Sequence, residues 1–101
     1  MLVAFSIAPS GTGDASVGDA VAEAVRIVRA SGLPNETSSM FTTIEGEWDE
    51  VMAVIKDCVD ALAASAPRVS LVLKADIRPG YTGQLSAKVR RVEDALAGGN
   101  G

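Results

Sequence analysis

The sequence predicts an α+β sandwich in which one sheet carries helices on one side. Three features predict it. Near both ends of the chain apolar residues alternate with period two, as in half-buried strands; between them they recur at helical spacing. The elements so placed read β-α-β-β-α-β-α, two strand–helix–strand units and a further helix. A chain of 101 residues with 48% hydrophobic and 22% charged residues has room for one core and is not a disordered chain.

Each element has its own signal. From Leu2 to Ala8, Val3, Phe5 and Ile7 share one face and Ala4, Ser6 and Ala8 the other, until Pro9-Ser10-Gly11-Thr12-Gly13 breaks the strand. Ser16 with Asp19 three residues on resembles a capping box, and Val17, Val21, Ala24, Val25 and Val28 follow at helical spacing. Ser31-Gly32-Leu33-Pro34 stops that helix. Glu36 to Gly46 is rich in β-formers and long enough for two short strands joined by a tight turn near Ser39–Phe41, with Ile44 facing the core and Thr43 and Glu45 the opposite side. Trp48 to Ser65 is the clearest helix, with a stripe of Val51, Val54, Ile55, Cys58, Val59 and Leu62 and acids in its first turn. Val69, Leu71, Leu73, Ala75 and Ile77 alternate with Ser70, Val72, Lys74, Asp76 and Arg78 in a last strand. Leu85, Val89, Val92 and Leu96 suit a final helix. This order predicts a ferredoxin-like β-α-β-β-α-β sandwich with an extra C-terminal helix, its first strand between the third and the last. Residues 1–97 are expected to form a single domain and 98–101 a flexible tail.

Composition excludes several functions. Without histidine there is no His-based triad or His-ligated metal, and one cysteine permits neither an internal disulfide nor a cysteine-rich zinc site. A net charge of −4 argues against nucleic-acid binding through bulk positive charge. No segment reaches the ~20 apolar residues of a membrane span, and the apolar start lacks the basic residues of a signal peptide, so a cytoplasmic protein is expected. No carboxylate pair is arranged for acid–base work, and no catalytic residue, metal or cofactor is expected.

The informative surface is the sheet face opposite Val3, Phe5 and Ile7. Small residues on the central strand leave a trough there, flanked by Thr43 and Glu45 on one side and by Ser70, Val72, Lys74, Asp76 and Arg78 on the other, with Phe41 a further candidate. The flanks stand roughly 10 Å apart, two strand spacings. A flat organic molecule with donors and acceptors fits such a trough; so does another subunit's sheet. Gly11-Thr12-Gly13 before a helix N-terminus is either an anion-holding loop or an ordinary turn, lacking both a GxGxxG fingerprint and a P-loop lysine. Trp48 is either a stacking partner for a cation or an anchor for its helix. Charge is uneven: residues 14–60 hold ten acids and three bases, residues 68–91 six bases and one acid. That asymmetry favours self-association of unlike patches or an anion site near Lys74, Arg78 and Lys88.

Pro9-x-Gly11-Thr12, Ser16 opening a helix, Met40-x-Thr42-Thr43-Ile44-Glu45-Gly46, Lys74-x-Asp76-x-Arg78 and Lys88-Val89 together resemble the thiamine-binding-protein-like family, which is related to the YkoF-type thiamine/hydroxymethylpyrimidine-binding proteins. The resemblance runs from about Leu2 to Leu96. It implies a ferredoxin-like fold, dimers that pair into a tetramer, and binding of thiamine or its pyrimidine moiety without a catalytic step. Thr12 and Ser16 match the family's first turn, Thr43 and Glu45 its strand motif, and Lys74 and Arg78 its last-strand charges; Pro79-Gly80-Tyr81 departs from its charged turn. Under this reading Glu45 accepts from the amino group or balances the thiazolium. Ser6 and Thr43 complete the ring's hydrogen bonds, and Phe41 or Trp48 supplies a ring face. Lys74 and Arg78 suit a phosphate ester better than free thiamine. The competing expectation is a structural or regulatory homo-oligomer whose open sheet face only joins subunits.

Overall fold

Alternation along the first strand and the apolar stripes of the first two helices build the core between them. The computed structural model describes residues 1–11 and 17–98. In chain order they form β1 (Leu2–Ser10), α1 (Val17–Ala30), β2 (Asn35–Thr37), β3 (Thr42–Glu45), α2 (Trp48–Ala63), β4 (Arg68–Asp76) and α3 (Gln84–Gly98). The sheet runs β2-β3-β1-β4 with every neighbouring pair antiparallel. This is the ferredoxin-like arrangement, with β1 between β3 and β4 as expected. Thr12 and the Ser16 cap lie outside the described residues.

Val3, Phe5 and Ile7 are buried on one face of β1 and meet Ala24 and Val28 of α1 and Val51, Ile55, Cys58 and Leu62 of α2. Ile44 of β3 pairs with Val3 and is fully buried, so the expected facing of β3 holds. β1 runs two residues beyond the expected Ala8. Beyond Phe5 it has β4 alone as a neighbour, so Pro9, which has no N–H to give, sits where β1 has one open edge. The turn between β2 and β3 is closed by Ser38 N donating to Phe41 O at 2.9 Å and by Phe41 N donating to Ser38 Oγ at 3.3 Å. α1 ends where Gly32 takes a φ of +77°, a conformation glycine adopts without steric cost.

Two expectations need correcting. β4 reads as half-buried, yet Leu71 and Leu73, on its helix-facing side opposite Ile7 and Phe5, are each 37% exposed. β4 is an edge strand, and the two core helices do not fully cover it. α3 does not join the layer of α1 and α2. Its first turn sits over the Leu2–Glu45–Asp76 end of the opposite sheet face, held by Glu45 and by an ion pair from Lys88 Nζ to Asp76. None of its residues is buried, and the molecule measures 56 × 29 × 20 Å.

Cys58 shows how closely α1 and α2 pack. Its Sγ lies 3.5 Å from Ala24 O, and burial, helped by the neighbouring Asp57 charge, pushes the thiol up to about 11. Iodoacetamide at pH 8 is therefore expected to leave Cys58 unmodified in the folded protein and to alkylate it quickly in denaturant. The same shift predicts an alkaline weakness. The thiol's contribution to stability is fully present below the ordinary value of 9.0 and is lost as the pH rises to about 11. The loss amounts to about 3 kcal/mol at most. Denaturant midpoints at pH 8 and pH 11 should converge between wild type and Cys58→Ala at the higher pH; an unchanged gap contradicts the assignment.

Candidate functional site

The register places the expected site residues in three neighbourhoods. On the open sheet face, Thr43 and Lys74 flank Ala4 from either side, Val72 stands opposite Ser6, and Glu45 and Asp76 flank Leu2. Glu45 and Lys74 thus point the same way but lie in different cross-strand rows. Thr43 is partly buried, and Lys74 and Val72 are exposed. This stretch is a shallow floor of small residues with polar margins.

The Glu45 end is closed by the protein itself. The carboxylate is only 7% exposed and accepts from Gln84 N at 2.9 Å and Leu85 N at 3.2 Å. These are among the first N–H groups of α3, which have no partner inside their helix. A buried negative charge also complements the positive end of the helix dipole. Glu45 therefore works as a cap supplied from 39 residues away, and the recess expected between it and Lys74 loses that border to α3. Lys88 beside Asp76 holds that carboxyl below the usual carboxylate range, chiefly through their hydrogen bond.

Phe41 belongs to a second neighbourhood, which Ser6 of the open face also borders from β1. Both line a cleft of about 170 Å3 with Val21, Ala24 and Val25 of α1 and the 37–42 turn. Phe41 therefore meets the helix side instead of joining Thr43 on the open face. Ser38, Ser39 and Thr42 add hydroxyls to these mostly apolar walls.

Arg78 lies past the end of β4 in a third neighbourhood, and the turn departing from the family pattern positions it. Pro79-Gly80 occupies the centre of a four-residue turn in which Gly80 has a φ of +83° and Tyr81 N donates to Arg78 O at 3.2 Å. That is the chemistry of a type II turn, with proline setting the first central position and glycine the second. Residues flanking such a turn stand side by side, and the Arg78 guanidinium lies 3.6 Å from the centre of the Tyr81 ring. Opposite them Trp48 begins α2, just after Glu47, whose N–H donates to Glu50 Oε1 at 3.1 Å. Together with Met1, Ile77 and Thr82 these residues enclose a cleft of about 300 Å3.

Trp48 is thus not the buried anchor that its place in the helix suggested: it is 54% exposed. Sequence reasoning named Trp48 as a stacking candidate but not its overhang at the cleft wall, and it missed Tyr81 beside it. The usable signal was spacing. Trp48 extends the Val51–Ile55–Cys58–Leu62 stripe back one turn, past Glu45, where β3 ends. A stripe that outruns its sheet leaves its last large residue overhanging. No group of three or more Cys, Asp or Glu side chains among the described residues could hold a metal ion, and no helix among them is long and apolar enough to cross a membrane.

The sequence profile of a family described as thiamine-binding protein matches residues 3–93. A UPF0045 protein of Mycobacterium bovis is 57% identical over 97 residues, covering 95% of this chain and 94% of its own. Among solved structures, a hypothetical protein of Methanocaldococcus jannaschii superposes with a TM-score of 0.81 at 28% identity, over 91% of this chain and 94% of that one. A Bacillus cereus domain of unknown function superposes with a TM-score of 0.74 at 31% identity, over 83% of each chain.

Proposed function

We propose that this chain, which belongs to the thiamine-binding protein family, is a cytoplasmic, non-catalytic binding protein for thiamine or its hydroxymethylpyrimidine moiety and works as a homo-oligomer. The observation that carries the reading is the family match along residues 3–93, which spans every strand and the core of the fold. The cleft beside Trp48 agrees with it in size, and both clefts agree in chemistry. Each has largely apolar or aromatic walls and a few polar groups, the usual make-up of a site for one small molecule.

Self-association is supported by apolar surface that the single chain leaves open. Val72 on the sheet face is 57% exposed, and Val89 and Val92 on α3 are 52% and 60% exposed. Exposed apolar side chains on an open sheet face and an unpartnered helix side suit contact with a second copy. Such contact equally favours the second reading, a structural or regulatory homo-oligomer that binds no vitamin.

Native mass spectrometry separates the two. With thiamine or hydroxymethylpyrimidine added, the expected spectrum shows multiples of the 10.3 kDa chain with ligand retained. Multiples that retain neither compound at saturating concentration favour the structural reading. A bare 10.3 kDa monomer removes both.

A further inference from the structure

We infer that the cleft between Trp48 and Arg78 is where the ligand binds, and that it selects a phosphate ester of a flat, cationic or aminated heteroaromatic over the unphosphorylated ring. The inference rests on the proposed thiamine-type function and adds to it a place and a charge state.

The cleft presents three kinds of recognition within about 300 Å3, the low end of what a small-molecule site needs and too little for a dinucleotide. Trp48, 54% exposed, offers an indole face, the strongest aromatic partner for a cationic ring. Glu47, adjacent in sequence and in the same wall, offers a carboxylate to an amino group or a ring cation. Arg78 supplies the opposite charge. Its guanidinium stacks on Tyr81 and donates to no acceptor among the described residues.

That last feature points to phosphate. A guanidinium packed flat on a ring keeps its planar fork of N–H donors at the edge, oriented and largely relieved of side-chain entropy. Such a fork matches two oxygens of a phosphate group. The Pro79-Gly80 turn holds it there, since it fixes Arg78 and Tyr81 side by side. One end of the site thus favours an anion and the other a cation or amine, with an aromatic wall between. A phosphorylated thiazolium or aminopyrimidine has that distribution of charge, and the free alcohol lacks its anionic end.

Trp48 is the single tryptophan in the chain, so its emission reports on this cleft alone. Thiamine and thiamine monophosphate are titrated into wild type and Arg78→Gln, followed by Trp48 fluorescence and by calorimetry, with inorganic phosphate as a control. The monophosphate is expected to quench Trp48 and to bind about tenfold or more tighter than thiamine, one charge-assisted contact's worth. Arg78→Gln should erase that difference between the two compounds; Arg78 is exposed, and circular dichroism checks that the fold is kept. Calorimetric binding with silent Trp48 emission overturns the site and spares the proposed function. Equal affinity for the two compounds in wild type overturns the phosphate selectivity. Absence of binding by either compound overturns both proposals.

Discussion

Ile44→Ala is expected to lower the unfolding free energy by about 3–4 kcal/mol, the range for emptying a buried branched aliphatic position. Ile44 has no exposed surface and pairs with Val3 and Asn35 on its two sides. It belongs to the cluster in which β1 meets both core helices. Alanine there leaves a void bounded by the strand backbones of β1 and β2 and by two packed helices, so the walls cannot easily collapse into it. With a total stability of about 5–15 kcal/mol for a domain of this size, the loss is a large fraction. The thermal midpoint should fall by about 15–20 °C. Ile44→Val, which removes one methylene, should cost about 1 kcal/mol. Thermal melts of the three proteins check this, and a shift below about 5 °C for the alanine variant would mean that β3 is not part of the cooperative core.

That core was legible because its physics is local and periodic. Val3, Phe5 and Ile7 alternate on β1, and the α2 stripe recurs at three and four residues; both patterns survive into the structure as buried faces. The antiparallel β2–β3 pair was also readable, as two runs of β-formers around Ser38-Ser39. The helical character of α3 was visible, but its place was not. A stripe of Leu85, Val89, Val92 and Leu96 says that a helix has an apolar side; it does not say what lies against that side. The burial of β4 was overstated for a related reason, because alternation looks the same on a covered strand and on an edge that the helices overhang incompletely.

The candidate site divides along the same line. Residue types were readable, so Arg78, Trp48 and Glu45 stood out as groups with chemistry. Their partners come from distant segments. Tyr81 reaches the Arg78 guanidinium through the geometry of one turn, and that turn meets Trp48 because β4 ends beside the start of α2. Glu45 looked like a ligand contact because a carboxylate on an open sheet face has no local partner in the sequence. The partner exists 39 residues later, as two backbone amides, and backbone groups carry no signature in a side-chain pattern.

Removing that carboxylate should release α3. Glu45→Ala takes away the acceptor for Gln84 N and Leu85 N and the negative charge at the helix's positive end. Hydrogen bonds to a charged group contribute about 1.5–3 kcal/mol, and a lost helix cap about 1 kcal/mol, so the docked state of α3 should weaken by about 2–3 kcal/mol. Little else opposes release. No α3 residue is buried, and the Lys88–Asp76 pair is solvent-exposed, where ion pairs contribute little. Once undocked, a helix of 15 residues is marginal in water and should fray. In the single chain the expected result is therefore local: hydrogen exchange across Gln84–Gly98, and trypsin cleavage at Lys88, Arg90 and Arg91, should accelerate about 30- to 150-fold, the population change that 2–3 kcal/mol implies. Amides of β1 and β3 should keep most of their protection, since Val3, Phe5 and Ile44 lie on the other side of the sheet. Glu45→Gln keeps one acceptor oxygen without the charge and should fall between the two. Unchanged cleavage in Glu45→Ala would show that α3 is held by something other than this carboxylate, and Glu45 would again be available to a ligand.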